Sequence, residues 1–192
     1  MTWAPRMQSR RTTTEPVTEA LPRAAEVLLD GYEGNGAMTD PQRSAGILPH
    51  RVRDGRLEVY LGHMGGPFWS RKDAAAWSVI KGLIEENETA LQAALREFAE
   101  ETGLAMPNVD YSLLGEFRQP SGKRITVFVA QLDDLSTAIS GNSFELEWPP
   151  HSGRLQSFPE IDGAGWFDLE TARHKLVRGQ LPIIDALEHL NP

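Results

Sequence analysis

The chain has 192 residues, 27 acidic against 19 basic side chains, a net charge of −8 and no cysteine. One domain with appendages fits that length, and the missing cysteines exclude thiol chemistry, cysteine-ligated zinc and a disulfide framework. The acidic balance argues against a nucleic-acid surface, where Lys and Arg must neutralise phosphates, yet it admits an anionic small molecule if a divalent cation reverses the local field.

Residues 1 to 43 read as a leader with one short helix in LPRAAEVLLDG, where Pro22 suits a first turn and Gly31 a stop; EGNGAMTDPQ follows as a linker in which Met38 is an alternative start. MTWAPRMQSRRTTTEP lacks the apolar region of a secretory signal, and no apolar run nears the roughly 18 residues of a membrane span. The expectation is a cytoplasmic protein with neither membrane nor nucleic acid as a partner. The globular domain is expected over residues 44 to 192. It opens with a hairpin, AGILPHRV and RLEVYLGHM around a turn at Asp54 and Gly55, with Leu57, Val59 and Leu61 alternating against polar neighbours. GGPFWSRKDAAAW is then a loop and WSVIKG a short strand. ALQAALREFAEETG reads as a helix: Thr89 and Gln92 form a capping box, Leu91, Ala94, Leu95 and Phe98 share a face, and Gly103 is the stop. YSLLGEF, RITVFVAQL and GAGWFDL are further strands, Gly141 to Asp162 reads as irregular, and PIIDALEHL is a closing helix. Strands interrupted by helices without a repeat predict an α/β fold with a mixed sheet packed between helices.

Glu97, Glu100 and Glu101 stand at i, i+3 and i+4 of the central helix and project together near its C-terminus, where negative charge is least favoured. A solvated acidic face is one reading of that patch. The other is a site for a hard cation such as Mg2+, which prefers oxygen ligands and turns the repulsion into attraction. Spacing separates the two. Gly82, Glu88, Arg96, Glu97, Phe98, Glu100, Glu101, Gly103 and Leu104 fall in the pattern of the Nudix box, and with average residue usage a chance match at all nine positions is on the order of one in ten million. The sequence from Ser44 to Leu190 therefore resembles the Nudix hydrolase family (MutT-like), and GGPFWSRKDAAAWSVIKG, FELEWPP and FPEIDGAGWF look like a bacterial subgroup of it.

That resemblance implies an α/β/α sandwich with the box as a strand-loop-helix, and metal-dependent cleavage of the diphosphate of a nucleoside diphosphate derivative by water. It implies Mg2+ or Mn2+ as cofactor, held by Glu97, Glu100, Glu101 and the carbonyl of Lys81, with Glu97 and Glu101 in catalysis. Arg96 is expected beside them, holding a carboxylate by its fork. Gly82 is expected to let the chain bend after the strand. A general base on a loop before the Trp-Phe strand is implied at Glu160, with Glu145 and Glu147 as rivals. Arg71 and Lys72 are candidates for substrate phosphates, with Lys123 and Arg124 behind them, and Phe68 and Trp69 for stacking on a base. Trp77, Trp148 and Trp166 are expected in the core and His63 as a strand residue. Ile80 and Leu83 replace a proline and a glutamate usual in the subgroup, which loosens a turn and removes an outer contact. The partner implied is a small nucleotide, and a homodimer is compatible with the family. The alternative function is a Nudix-like sensor that binds a nucleotide or ADP-ribose without cleaving it.

Overall fold

The computed structural model describes residues 43–190; the expected leader helix and linker lie outside them. The described strands are β1 (Arg43–Arg53), β2 (Arg56–Met64), β3 (Trp77–Ser78), β4 (Ile80–Leu83), β5 (Ser112–Arg118), β6 (Arg124–Gln131), β7 (Ser143–Glu147), β8 (Leu155–Pro159) and β9 (Ile161–Asp168). The helices are α1 (Ala90–Thr102), α2 (Leu169–Lys175) and α3 (Leu181–Leu190), with a 3-10 turn at Arg178–Gln180 before the last. α2 was absent from the sequence expectation. Asp168 caps it, its carboxylate accepting from the Thr171 N–H at 2.8 Å, and Arg173, His174 and Lys175 fill its last turn.

β1 organises the sheet. Its first half pairs antiparallel with β4, its second half antiparallel with β2, and its other edge runs parallel with β6, which pairs in turn with β5. β2 carries β9 on its far side. The sheet is therefore mixed, as expected, and β3 and β4 sit in the fork where β1 and β2 part.

Alternation along the strands divides the core into two layers. Ala45, Ile47, Tyr60 and Ile80 face α1 and meet Ala93, Ala94 and Phe98; Leu48, Val59, Leu61, Val79, Ile125 and Val127 face the other way and meet Ala172 of α2 and Ile183, Ile184 and Leu187 of α3. This is an α/β/α sandwich. Burying Phe98 fully contributes about 2–3 kcal/mol to holding α1 on the sheet.

Gly141 to Asp162 departs from the irregular expectation. β7 and β8 form a separate two-stranded sheet in which Phe144 faces Phe158 across the pair. Its apolar positions alternate, but the Pro and Gly of the connecting turn obscure the pattern. A lone hairpin is marginal in water, and this one leans on the loop after β2: Phe68 meets Trp148 edge-on at 5.3 Å, and Phe144 lies against Gly66.

Candidate functional site

α1 brings the carboxylates together, and its ends explain how. The Thr89 hydroxyl accepts from the Gln92 N–H at 3.2 Å while the Thr89 N–H donates to the Gln92 side chain at 2.8 Å, a complete capping box. Gly103, at φ 72°, closes the helix with its N–H on the Ala99 carbonyl at 2.8 Å. Beyond that, the carbonyls of Glu100 and Thr102 accept from the N–H groups of Asn142 at 2.8 Å and Ser140 at 2.9 Å. Those bonds satisfy part of the negative end of the helix and make three glutamates tolerable there. They also root the β7–β8 hairpin on the carboxylate helix. Between them Gly141 lies so close to the Glu101 carbonyl that a side chain would collide with it.

Arg96 is the hub of the first contacts. Nε and Nη2 donate to the two oxygens of Glu88 at 3.2 and 2.7 Å, Nη1 donates to Glu97 at 3.0 Å and to Glu100 at 3.1 Å, and Nη2 reaches the Leu83 carbonyl at 3.0 Å. The bidentate partner is thus Glu88, with Glu97 and Glu100 each held by a single bond. Through these contacts Arg96 orients the carboxylates and ties α1 to β4.

Gly82 does something other than bend the chain. It lies within β4, paired with Ala45, with no left-handed backbone angle. A Cβ there would run into the carboxylate of Glu97. Gly82 is small so that Glu97 can lie across the strand. Ile80, likewise, is a fully buried strand residue opposite Ile47, not part of a turn, so its replacement of proline is a packing matter. Leu83 is exposed at the end of β4.

Glu101 is the most enclosed of the cluster. One oxygen accepts from the Lys81 N–H at 3.2 Å. Burial pushes its carboxyl up to about 8; Glu160 and Glu97 add to the rise, while the Lys81 charge and that N–H oppose it. Glu97 is raised by burial and by Glu100 and Glu160, against the pull of Arg96. Glu160 has an exposed residue surface, but protein packed round its carboxyl raises it, with Glu100 adding and Lys81 opposing. The chain between β8 and β9 therefore brings Glu160 into the field of all three helix glutamates. Its backbone is fixed on both sides: its N–H donates to the Asn142 carbonyl at 3.0 Å and its carbonyl accepts from Gly65 at 2.8 Å.

Four mutually repelling carboxylates suit a hard divalent cation in donor type and in charge. Among the described residues no three acidic or histidine side chains are gathered as a ready cage, because Glu97 and Glu100 are turned onto Arg96 and Glu101 onto β4. The clefts lined by Arg51 to Arg53 with Gln131 to Asp134, and by Arg56, Leu57 and Asp168 to Glu170, contain none of the four.

The NUDIX domain profile matches residues 40–187, which spans the sheet, α1 and the Glu160 loop. The chain belongs to the Nudix family. Of the curated relatives, an octanoyltransferase from Myxococcus xanthus is 31% identical over 105 residues, 52% of this chain and 25% of that one. The putative mutator protein MutT4 of Mycobacterium tuberculosis is 36% identical over 73 residues, 35% of this chain and 27% of that one. The chain thus spans about a quarter of the length of these relatives. In three dimensions it is similar to the Nudix domain of Shewanella oneidensis NrtR, solved with ADP ribose, at a TM-score of 0.56 and 18% identity over 88% of this chain and 98% of that one. It is also similar to the Ap4A hydrolase of C. elegans, at 0.54 and 18% over 78% and 96%.

The remaining residues singled out from the sequence divide. The Nudix box carboxylates, Arg96, Lys81 and Glu160 are brought together. Trp69 is not open for stacking: it is 5% exposed, packed with Met64 and Ala76, with the Lys72 ammonium 4.9 Å above its ring. That contact also engages Lys72, which like Arg71 is exposed. Phe68 is half-buried on Trp148, and Trp148 stands on the hairpin side of that contact instead of in the sandwich core. Glu147 accepts from the Gly153 N–H at 2.7 Å and so helps close the β7–β8 turn; Glu145 is exposed on β7. Arg124 pairs with Glu116 across β5 and β6. His63 is the expected strand residue, joining Asp162 at 2.5 Å and the Lys72 carbonyl at 2.7 Å, and thereby pins the loop after β2. Two participants had no distinct signal. Glu88 is a box position, but its role as the bidentate anchor of Arg96 depends on tertiary geometry, and the Lys81 side-chain charge, not only its backbone, acts on Glu101 and Glu160.

Proposed function

We propose that this Nudix protein hydrolyses the diphosphate of a nucleoside diphosphate derivative with the help of Mg2+ or Mn2+. The observation that carries the reading is the gathering of Glu97, Glu100, Glu101 and Glu160 from α1 and the chain before β9, with Glu101 against the Lys81 N–H at 3.2 Å. A protein that only folded would gain by replacing such a group, whereas a cation makes its charge useful. Glu97, Glu100 and Glu101, with the Lys81 carbonyl, would hold the metal. Bound there, the cation would neutralise phosphate oxygens and lower the pKa of the attacking water.

The chain's own groups do the rest. Arg96 keeps Glu97 and Glu100 oriented through Glu88 and the Leu83 carbonyl. Glu160 takes a proton from the attacking water, a role suited to a carboxyl raised by its surroundings and carried on a fixed loop. The Lys81 ammonium favours the ionised forms of Glu101 and Glu160 and adds positive charge beside the phosphates.

The decisive experiment offers nucleoside triphosphates, dinucleoside polyphosphates, ADP-ribose and nucleotide sugars with Mg2+ or Mn2+, and identifies products by mass spectrometry. Release of a nucleoside monophosphate or phosphate that stops in excess chelator supports the proposal. Tight binding of one compound with no product would assign the protein to the sensor class instead.

A further inference from the structure

The strand that carries Lys81 and Gly82 changes partner just before it reaches them. β3 pairs with β2 through Gly62–Ser78 and His63–Trp77, and β4 pairs with β1 from Ile47–Ile80 to Ser44–Leu83. Val79 lies between the two ladders and is 1% exposed. A buried backbone amide at such a break needs a partner from elsewhere. It finds one a hundred residues away. The Val79 N–H donates to the side-chain oxygen of Gln180 at 2.8 Å, the Gln180 amide donates to the Ser78 hydroxyl at 2.9 Å, and that hydroxyl donates to the Val79 carbonyl at 2.8 Å.

The Gln180 amide thus satisfies the Val79 N–H directly and holds the Ser78 hydroxyl that satisfies the Val79 carbonyl. Gln180 is 2% exposed, and its backbone is fixed as well: its N–H bonds the Val177 carbonyl at 2.9 Å, and the Val177 N–H bonds the Trp77 carbonyl at 3.0 Å. α3 starts at the next residue and is anchored by Ile183, Ile184 and Leu187. Beyond the break, the Lys81 N–H meets Glu101 and Gly82 lies under Glu97. The orientation of β4 therefore reaches two of the four carboxylates directly.

We infer that Gln180 is a positioning residue for the carboxylate site, holding the partner switch at Val79 so that β4 presents Lys81 and Gly82 to α1. Its consequence for metal rests on the function proposed above; its effect on β4 does not. The test compares the intact wild-type chain with Gln180→Met, which keeps volume and removes the amide, with the milder Ser78→Ala, and with Ile184→Val as a control that loosens α3 without touching the polar triad. Amide hydrogen exchange of Val79 and Lys81 is measured by NMR without metal, and Mn2+ binding by calorimetry. In Gln180→Met, exchange at both amides rises at least about tenfold and Mn2+ affinity falls about 10- to 100-fold, the range for groups that support a metal ligand. Ser78→Ala moves both in the same direction by less, and Ile184→Val leaves the Lys81 amide unchanged. Equal exchange at Lys81 in Gln180→Met and Ile184→Val overturns the inference, and if Gln180→Met does not fold, unchanged exchange in Ser78→Ala does so. Accelerated exchange in a protein whose wild type binds no Mn2+ would uphold the positioning role and sink the metal reading alone.

Discussion

Replacing Gly82 by alanine separates two explanations of the same glycine. If Gly82 were needed for a bend, the substitution would strain the backbone and lower stability. The structure places it in an extended strand opposite Ala45, where alanine is permitted, so the expected change in stability is small, within about 1 kcal/mol. The new methyl instead occupies the space of the Glu97 carboxylate. To restore ordinary van der Waals contact that carboxylate must move by more than about 1 Å, and misplacing a catalytic group by that much costs about a hundredfold in rate. Its bond to Arg96 at 3.0 Å goes with it. The assay is initial-rate hydrolysis of the best nucleotide substrate at saturating Mg2+, with the thermal midpoint measured on the same preparation. The outcome expected is kcat/KM down about a hundredfold with the midpoint nearly unchanged. A wild-type rate would refute the close approach of Glu97 to β4, and a large drop in midpoint would restore the bend.

Glu100→Gln and Glu101→Gln, which keep shape and remove ligand charge, should each lower turnover by about two orders of magnitude or more in a folded protein; circular dichroism and product release on the same samples check this. Glu160→Gln should lower kcat while calorimetric Mn2+ affinity stays within about threefold, since a proton acceptor contributes to the chemical step and not to cation binding. Arg96→Lys cannot span Glu88, Glu97, Glu100 and the Leu83 carbonyl at once, so metal affinity should fall about tenfold or more. In chelator, stability should decline as pH rises from about 5 to about 8: the Glu101 carboxyl is raised from 4.5 to about 8, so the folded state holds a proton the unfolded chain has released, and this contribution, present below the unfolded value, is lost as pH climbs through the folded one. The effect is on the order of 4 kcal/mol at most; denaturant titrations at both pH values should show it in the wild type and much less of it in Glu101→Gln.

Glu97, Glu100, Glu101 and Gly103 were legible in the sequence because a helix is a local object. Its period puts i, i+3 and i+4 on one face, and its caps are set by residues within a turn of each end, so α1 and the Nudix box could be read directly. The strands β1, β2 and β6 were readable from local apolar runs and the turn at Asp54 and Gly55, with Leu57, Val59 and Leu61 alternating in β2, and with them the mixed sheet between helices. The pairing of Arg96 with Glu88 was not, although both are box positions, because it depends on how the loop folds back onto the helix. The burial of Trp69 was set by Met64 and Ala76 closing over it, and the role of Gly82 by a carboxylate lowered onto it from another element. The β7–β8 hairpin was hidden because its strands are stabilised from outside, by Asn142 on Glu100 and Phe68 on Trp148. Gln180 is the extreme case: it reads as an ordinary polar residue before a helix, and only the folded chain brings its amide to Val79, 101 positions earlier. Local periodicity encodes which side chains share a face, whereas a buried hydrogen bond or a close approach exists only once distant segments meet, and one chain carries no mark of that meeting.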